Sequence, residues 1–214
     1  MKNIALALIV LSLVASAGRA GDDLVKKLDA VRGAESYSFS VRDNTGPGVD
    51  ARYQKGQPLF CKADGIEFYR KAEVLVYKQG DNWQRTRTGT LSDPLRILGA
   101  SAKVRAVRLP HEELAILGKA LTTVKNGEGT VTGDFNMDAA KKLARTEDAD
   151  LARGGSAKLW LDKKGGLVKY TINIRVQGKR GNADVDGVMT RTVTIADVGT
   201  AKVEIPAGAK KALN

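Results

Sequence analysis

The chain has 214 residues, of which 43% are hydrophobic and 28% charged, and its formal net charge is +11. This length favours one globular domain with a sizeable core, and a single cysteine excludes an intramolecular disulfide. With one histidine and one cysteine the usual zinc sites are excluded as well.

The first twenty residues have the pattern of a secretory signal peptide. Lys2 precedes an apolar run over 4–14, and 15–20 supplies small residues of the kind that a signal peptidase recognises. We expect cleavage after Ala20 and export to the periplasm or the exterior. The apolar run is too short to span a bilayer, and Gly21 stands where a lipoprotein would carry its acylated cysteine. The pattern predicts a protein that is neither transmembrane nor lipid-anchored.

The positive charge survives this cleavage, because removal of Lys2 and Arg19 lowers the formal charge only from +11 to +9. The basic residues are dispersed as pairs, which favours a solvated positive surface. Such a surface also suits an anionic membrane surface as a partner. Export argues against nucleic acid as a partner.

The first half of the mature chain predicts one helix followed by strands. An amphipathic helix is predicted over 22–32, with apolar residues on one face. In the strand predicted over 36–42, Tyr37, Phe39 and Val41 point to one side and polar residues to the other. After a turn at 44–48, further strands are predicted at 49–55, 58–62, 66–70, 74–78 and 83–88.

The middle of the chain predicts short helices that interrupt the strands. Helix starts are predicted at 92–94 and at Pro110, where proline suits the first helical turn. Strands are predicted over 121–125 and 129–135, and Asn136 is expected to cap another short helix. The interruption divides the strands into two groups.

The last third predicts strands again. After a strand over 157–161, the alternation is clearest over 168–176, where Tyr170, Ile172 and Ile174 point to one side. Strands over 188–195 and 201–205 complete the set, and a flexible tail is expected over 208–214. Alternation of this kind is typical of an antiparallel sheet with one solvated face. The predicted class is α+β, mostly β.

This order of elements resembles the LolA/LolB and LppX/LprG group of bacterial lipoprotein-localisation and lipid-carrier proteins. The resemblance covers about residues 22–207. It rests on the following segments: the helix over 22–32, the strands from Ser36, the segments Ile66–Arg70 and Gly129–Phe135, and the hairpin from Leu159–Asp162 to Tyr170–Ile172.

The resemblance implies a single curved antiparallel sheet over residues 21–207. In this group the sheet forms a half-open β-barrel, short helices cover its open side, and its apolar concave face receives acyl chains. The implied function is that of a non-enzymatic carrier or chaperone. Its partner would be a lipid or the acyl chain of a lipoprotein.

Seven residues are the candidate ligand-binding set on this basis: Tyr37, Phe39, Val41, Trp160, Tyr170, Ile172 and Ile174. An apolar stripe of this kind either lines a cavity or packs an ordinary core, since both require the same alternation. The sequence leaves these two interpretations open.

Residues capable of catalysis are few. His111, the only histidine, is expected to be a polar surface residue, and Cys61 a small buried hydrophobe. The carboxylate pairs Asp148 with Asp150 and Asp184 with Asp186 lack a calcium-loop pattern and are expected to solvate loops. We therefore predict no catalytic residues, no metal and no cofactor.

Three functions remain as hypotheses. The first is the lipid carrier, and the second is a cell-envelope interaction module whose filled barrel presents a basic surface to an anionic polymer or partner protein. The third is an extracellular hydrolase, in which every histidine-dependent mechanism would have to use His111.

Overall fold

The computed structural model describes residue 26 and residues 28–44, 46–86 and 95–214. The predicted signal peptide lies outside the described residues, as do residues 22–25 and 27 of the predicted N-terminal helix. Its described part is helical over 28–32, and Leu28 and Val31 are buried.

The strands form one antiparallel sheet of eleven strands. They are β1 (Ser36–Asp43), β2 (Gly46–Gln54), β3 (Leu59–Ala63), β4 (Ile66–Lys71), β5 (Val74–Gln79), β6 (Asn82–Thr86), β7 (Thr122–Gly127), β8 (Thr130–Phe135), β9 (Ala152–Leu161), β10 (Leu167–Arg180) and β11 (Ala183–Ala196). Their spatial order is β6-β5-β4-β3-β2-β1-β11-β10-β9-β8-β7. The sheet is curved and not closed, which confirms the predicted half-open barrel.

Short helices cover the concave face. They are α1 (Leu95–Ala106), α2 (Pro110–Ala120), α3 (Met137–Leu143) and a 3₁₀ helix (Thr146–Leu151). Helix α1 packs on β2, β3 and β4, α2 on β8, and α3 on β9. Local sequence explains two of the helix starts: Pro110 occupies the first turn of α2, and the Asn136 side chain accepts a hydrogen bond of 3.0 Å from the Ala139 N–H.

The main hydrophobic core lies between the concave face and these helices. Tyr37, Phe68 and Leu159 from the sheet and Leu114 from α2 are fully buried in it. Cys61 is buried in the same core, as predicted, and burial raises the pKa of its thiol to about 12. The core explains the alternation in the sequence, because every second strand residue points into it.

A second, smaller core covers the outer face of β3–β6. Residues 201–206 cross this face without joining the sheet, and α4 (Ala207–Leu213) follows them. Ala209 and Leu213 are buried there against Tyr69 and Val76. The segment predicted as a flexible tail is therefore a helix held by apolar contacts.

The prediction of a strand over 201–205 is wrong, because this segment also packs on the outer face without pairing with a strand. Its backbone bonds to side chains of the sheet, with the Tyr69 hydroxyl donating to the Glu204 carbonyl at 3.0 Å and the Val203 N–H donating to Gln54 Oε1 at 2.9 Å. The alternation of Val203 and Ile205 reflects packing on the outer face, not pairing with a neighbouring strand.

Strand β9 begins five residues earlier than predicted, at Ala152. Its glycines allow a close approach that other residues would prevent. A Cβ on Gly155 would lie 2.1 Å from the Asn173 carbonyl oxygen and 2.5 Å from the Phe135 ring. Gly154 and Gly155 therefore belong to the sheet, where Gly155 makes room for the Phe135 ring.

Across the part of the chain that the structure describes, no helix has the length and apolar character needed to cross a membrane.

Candidate functional site

A cavity of about 220 Å³ lies between the concave face of the sheet and the C-terminal end of α1. Its floor is apolar and comes from β1, β10 and β11. The floor residues are Val41, Ile172, Ile174, Val176 and Met189. Ala106 and Val107 close one side. The cavity is smaller than the ~300–1,000 Å³ typical of pockets for drug-sized ligands, so it has room for part of an amphiphilic molecule.

Charged side chains surround this apolar floor. Lys103, Arg145 and Arg180 line the cavity together with Asp43 and Asp148. A small apolar space with a charged rim suits a molecule with an apolar part and a polar end.

Ion pairs of the rim connect the helices to the sheet. Arg180 of β10 pairs with Asp148 of the 3₁₀ helix, and Arg145 pairs with Asp43 at the end of β1. Lys103 of α1 reaches both carboxylate oxygens of Asp64 at 2.8 Å. Partly exposed ion pairs such as Arg145 with Asp43 and Lys103 with Asp64 contribute about 0–1 kcal/mol each, so they restrain the rim only weakly.

Asp148 differs from its sequence-based expectation. The sequence predicted a carboxylate that solvates a loop, but only 8% of its side chain is exposed. Burial of a carboxylate requires a charged or hydrogen-bonding partner, and Arg180 supplies it.

The seven predicted binding residues fall into three groups. Val41, Ile172 and Ile174 line the cavity. The next three lie on the same face but are buried in the main core: Tyr37, Phe39 and Tyr170.

Trp160 is separate from the other six. It pairs with Lys169, whereas Leu159 pairs with Tyr170, so Trp160 points to the outer face of the sheet. There the ammonium groups of Lys158 and Lys169 lie 5.1 Å and 4.7 Å from the centre of its ring. These are cation–π distances. The structure therefore brings Trp160 together with surface lysines and not with the cavity.

A buried polar cluster adjoins the cavity through Arg191. Glu113 of α2 is 1% exposed, and its carboxylate accepts a hydrogen bond of 2.7 Å from the Tyr170 hydroxyl. Arg191 of β11, which also lines the cavity, places Nη2 2.5 Å from Glu113 Oε1. The same Nη2 donates to the Leu143 carbonyl at 2.9 Å. The cluster ties α2, the end of α3 and the sheet together.

Burial controls the ionisation of this cluster. Desolvation raises the pKa of the Glu113 carboxyl, and the positive charge of Arg191 opposes that rise. Desolvation also raises the pKa of Tyr170, and the adjacent Glu113 adds to the effect. Tyr170 thus remains a neutral donor, and Arg191 is the charge that makes a buried carboxylate tolerable.

Arg191 was not among the predicted site residues, although a local signal for it exists. On β11, Arg191 pairs directly with Ile172 and lies between Met189 and Val193 at an inward register position. A charged residue at an apolar position of a strand indicates a buried partner.

His111 was predicted to be a surface residue and is in fact half-buried. Its Nδ1 and the Tyr37 hydroxyl share a hydrogen bond of 2.6 Å, and the Tyr53 ring stacks on Tyr37. Desolvation lowers the pKa of His111 below its ordinary 6.5. These contacts fix the first turn of α2 against β1 and β2.

The described residues contain no group of three or more histidine, cysteine, aspartate or glutamate side chains arranged to hold a metal ion. The chemistry that the cavity offers is apolar contact on its floor and charge or hydrogen bonding at its rim.

Comparisons with known proteins bear on the fold. No family model matches the chain, and no curated protein sequence does. Among solved structures, the lipoprotein LppX of Mycobacterium tuberculosis is similar with a TM-score of 0.53 and 16% identity, over 87% of this chain and 98% of LppX. LprF from Mycobacterium bovis gives a TM-score of 0.52 and 15% identity, over 90% and 98% of the two chains. The resemblance to the LppX/LprG group is confirmed at the level of the fold.

Proposed function

We propose that this protein is a non-enzymatic carrier that binds the acyl chain of a lipid or of a lipid-modified protein in the cavity on the concave face. The observation that carries the proposal is the apolar floor of Val41, Ile172, Ile174, Val176 and Met189 inside a charged rim. Apolar concave sites with a few polar groups are typical of small-molecule binding.

The size of the cavity and the weakness of the ion pairs at its rim support transient binding. A volume of about 220 Å³ accepts a segment of one alkyl chain, and a longer segment requires outward movement of α1 or the 3₁₀ helix. At the rim, the ion pair of Lys103 with Asp64 joins α1 to the turn between β3 and β4, and a partly exposed pair of this kind is weakly stabilising. A carrier has to release its ligand, and such connections suit that need.

A fluorescent fatty acid provides the test. The variant Val41→Trp places a large ring in the cavity, and the matched control Val188→Trp places the same ring on β11, where Val188 is exposed. We expect wild type and Val188→Trp to bind the probe alike and Val41→Trp to bind it at least ~10-fold more weakly, a loss of about 1.4 kcal/mol. Absence of binding to wild type, or equal binding by both variants, contradicts the proposal.

We further propose that the carrier is exported after removal of residues 1–20 and acts in the periplasm or the exterior as a single domain over 21–207 with α4 attached. The apolar run and small residues at the N-terminus support this. The intact mass of the protein recovered from the cell envelope tests it. A mass that retains residues 1–20 contradicts export by cleavage.

A further inference from the structure

A second cavity, of about 630 Å³, lies on the other side of the connection between α1 and α2. Val107 lines both cavities, so the connection forms a shared wall. The second cavity is bounded by the turn between β2 and β3, the end of β4, the start of α2 and α4. Its volume lies within the ~300–1,000 Å³ range of ligand pockets. We call it the basic pocket.

The lining of the basic pocket is strongly cationic. Five basic side chains contribute to it: Arg70, Lys71, Arg105, Arg108 and Lys210. Two acidic side chains, Glu73 and Glu112, oppose them. A concave site lined mainly by one sign of charge concentrates ions of the opposite sign, so this pocket favours an anion.

Two of the arginines donate hydrogen bonds to backbone carbonyls near the pocket. Arg70 donates from Nη1 to the carbonyls of Val104 at 2.7 Å and Val107 at 2.9 Å, which fixes the end of α1. Arg108 donates to the carbonyl of Lys142, and from Nη2 to the carbonyl of Ala144 at 2.8 Å, which fixes the end of α3. Both guanidinium groups donate to carbonyls at helix ends.

Arg105 is different. Its Nε and Nη2 atoms are buried, and neither has a hydrogen-bond partner within residues 28–44, 46–86 and 95–214. Buried charged donors without partners are unfavourable by several kcal/mol and are rare in folded proteins. Arg105 lies in the last turn of α1, and Arg70 donates to carbonyls of this turn, so the backbone at Arg105 is fixed.

The two unpartnered atoms form one edge of the guanidinium plane. The N–H groups of Nε and Nη2 point the same way, and this fork matches two oxygens of a carboxylate or phosphate. A phosphate suits the pocket better than a singly charged carboxylate, because basic side chains outnumber acidic ones by five to two in the lining.

We propose that the basic pocket binds a phosphate group: the Arg105 side chain turns its buried Nε–Nη2 edge into the pocket and is the main ligand, with Lys71 and Lys210 as supporting charges. The phosphate is either free or part of a phospholipid headgroup. The headgroup form rests on the carrier function proposed above, whereas the phosphate site itself does not.

Calorimetric titration of the full mature chain with inorganic phosphate, at low and constant ionic strength, tests the site. Arg105→Gln removes the charge and the fork, and Arg105→Lys keeps the charge alone. Arg175→Gln is the matched control, because Arg175 is exposed on β10. We expect at least ~10-fold weaker binding in Arg105→Gln, an intermediate loss in Arg105→Lys and no change in the control. No binding by wild type, or equal binding by wild type and Arg105→Gln, overturns the proposal.

A second titration, with soluble dihexanoyl phosphatidic acid, separates the two sources of phosphate. Tighter binding than inorganic phosphate, lost in both Arg105→Gln and Val41→Trp, supports the headgroup form. Equal binding of the two probes, dependent on Arg105 only, supports free phosphate. If Val41→Trp retains phosphate binding while wild type fails to bind the fatty acid, the carrier function fails and the phosphate site stands. The reverse result removes the phosphate site alone.

Discussion

Replacement of Arg191 by methionine tests the buried polar cluster most directly. In wild type the side chain of Arg191 is 15% exposed and faces the Glu113 carboxylate, which is 1% exposed. Arg191→Met keeps a side chain of similar length but leaves the carboxylate without its opposite charge. Removal of one partner from a buried ion pair is unfavourable by about 3–5 kcal/mol. The Leu143 carbonyl also loses its donor.

We expect the variant to lose about 3 kcal/mol of unfolding free energy at pH 7. With a urea m-value of about 2 kcal/mol/M, this moves the unfolding midpoint down by about 1.5 M. The transition is followed by the fluorescence of Trp83 and Trp160. Arg175→Met, on the exposed outer side of β10, is the control and should change stability by at most ~0.5 kcal/mol.

The stability lost in Arg191→Met depends on pH, and the direction follows from the pKa of Glu113. Burial raises the pKa of Glu113 in the folded state, and loss of Arg191 raises it further. The folded state then binds a proton more readily than the unfolded chain, so stability falls as pH rises above the ordinary glutamate range. The deficit of Arg191→Met should therefore shrink between pH 7 and pH 5.

The double variant Arg191→Met/Glu113→Gln should be more stable at pH 7 than Arg191→Met, because no buried charge remains. A deficit that is the same at both pH values, or a double variant no better than the single one, refutes this account of the cluster.

Three further predictions concern other parts of the molecule. Lys103→Met removes the ion pair that joins α1 to Asp64; we expect several-fold faster release of a bound fatty acid in stopped-flow fluorescence, with a stability change below ~1 kcal/mol. His111→Gln keeps a hydrogen-bond acceptor but cannot titrate. Since burial lowers the folded-state pKa of His111, wild type should gain stability relative to this variant as pH rises from 5 to 7. Gly155→Ala forces a methyl group against Phe135 and should lower the free energy of unfolding by about 2 kcal/mol, measured in urea.

Each of these has a result that would contradict it. Raised salt should reproduce the effect of Lys103→Met in wild type, and release that is insensitive to both argues against rim ion pairs as the restraint. A constant difference between wild type and His111→Gln across the pH range would show that His111 has the same pKa in both states. Gly187→Ala is the control for Gly155→Ala, because a Cβ at Gly187 meets no atom within 4 Å, and equal effects would contradict the packing argument.

Most strands were predictable because the alternation of apolar and polar residues reflects burial of one side of the strand. β10 buries every second residue from Tyr170 to Val176, and β1 buries Tyr37 and Phe39 and partly buries Val41, so the sequence pattern and the exposure pattern largely coincide. The same logic fails over 201–205, because Val203 and Ile205 alternate to pack on an outer face without strand pairing. Periodicity identifies a buried side, and it does not identify the hydrogen-bond partner.

The candidate site was predictable only in part. Val41, Ile172 and Ile174 follow from alternation and line the cavity. The pairing of Glu113 with Arg191 joins α2 to β11 and leaves no local trace in the sequence beyond a charge at an inward position. Trp160 could have been placed correctly, since the alternation that buries Leu159 directs Trp160 to the opposite face.

The position of β1 beside β11 affects how the chain folds. The two strands are neighbours at the centre of the sheet, with Phe39 opposite Ile195, yet they come from opposite ends of the described chain. This pairing gives the fold a high contact order, which slows folding. During synthesis, which runs from the N-terminus, the middle of the sheet cannot form until β11 has been synthesised. The half made of β1–β6 therefore keeps β1 as an unpaired edge strand until β11 is available, and pairing with β11 covers this edge.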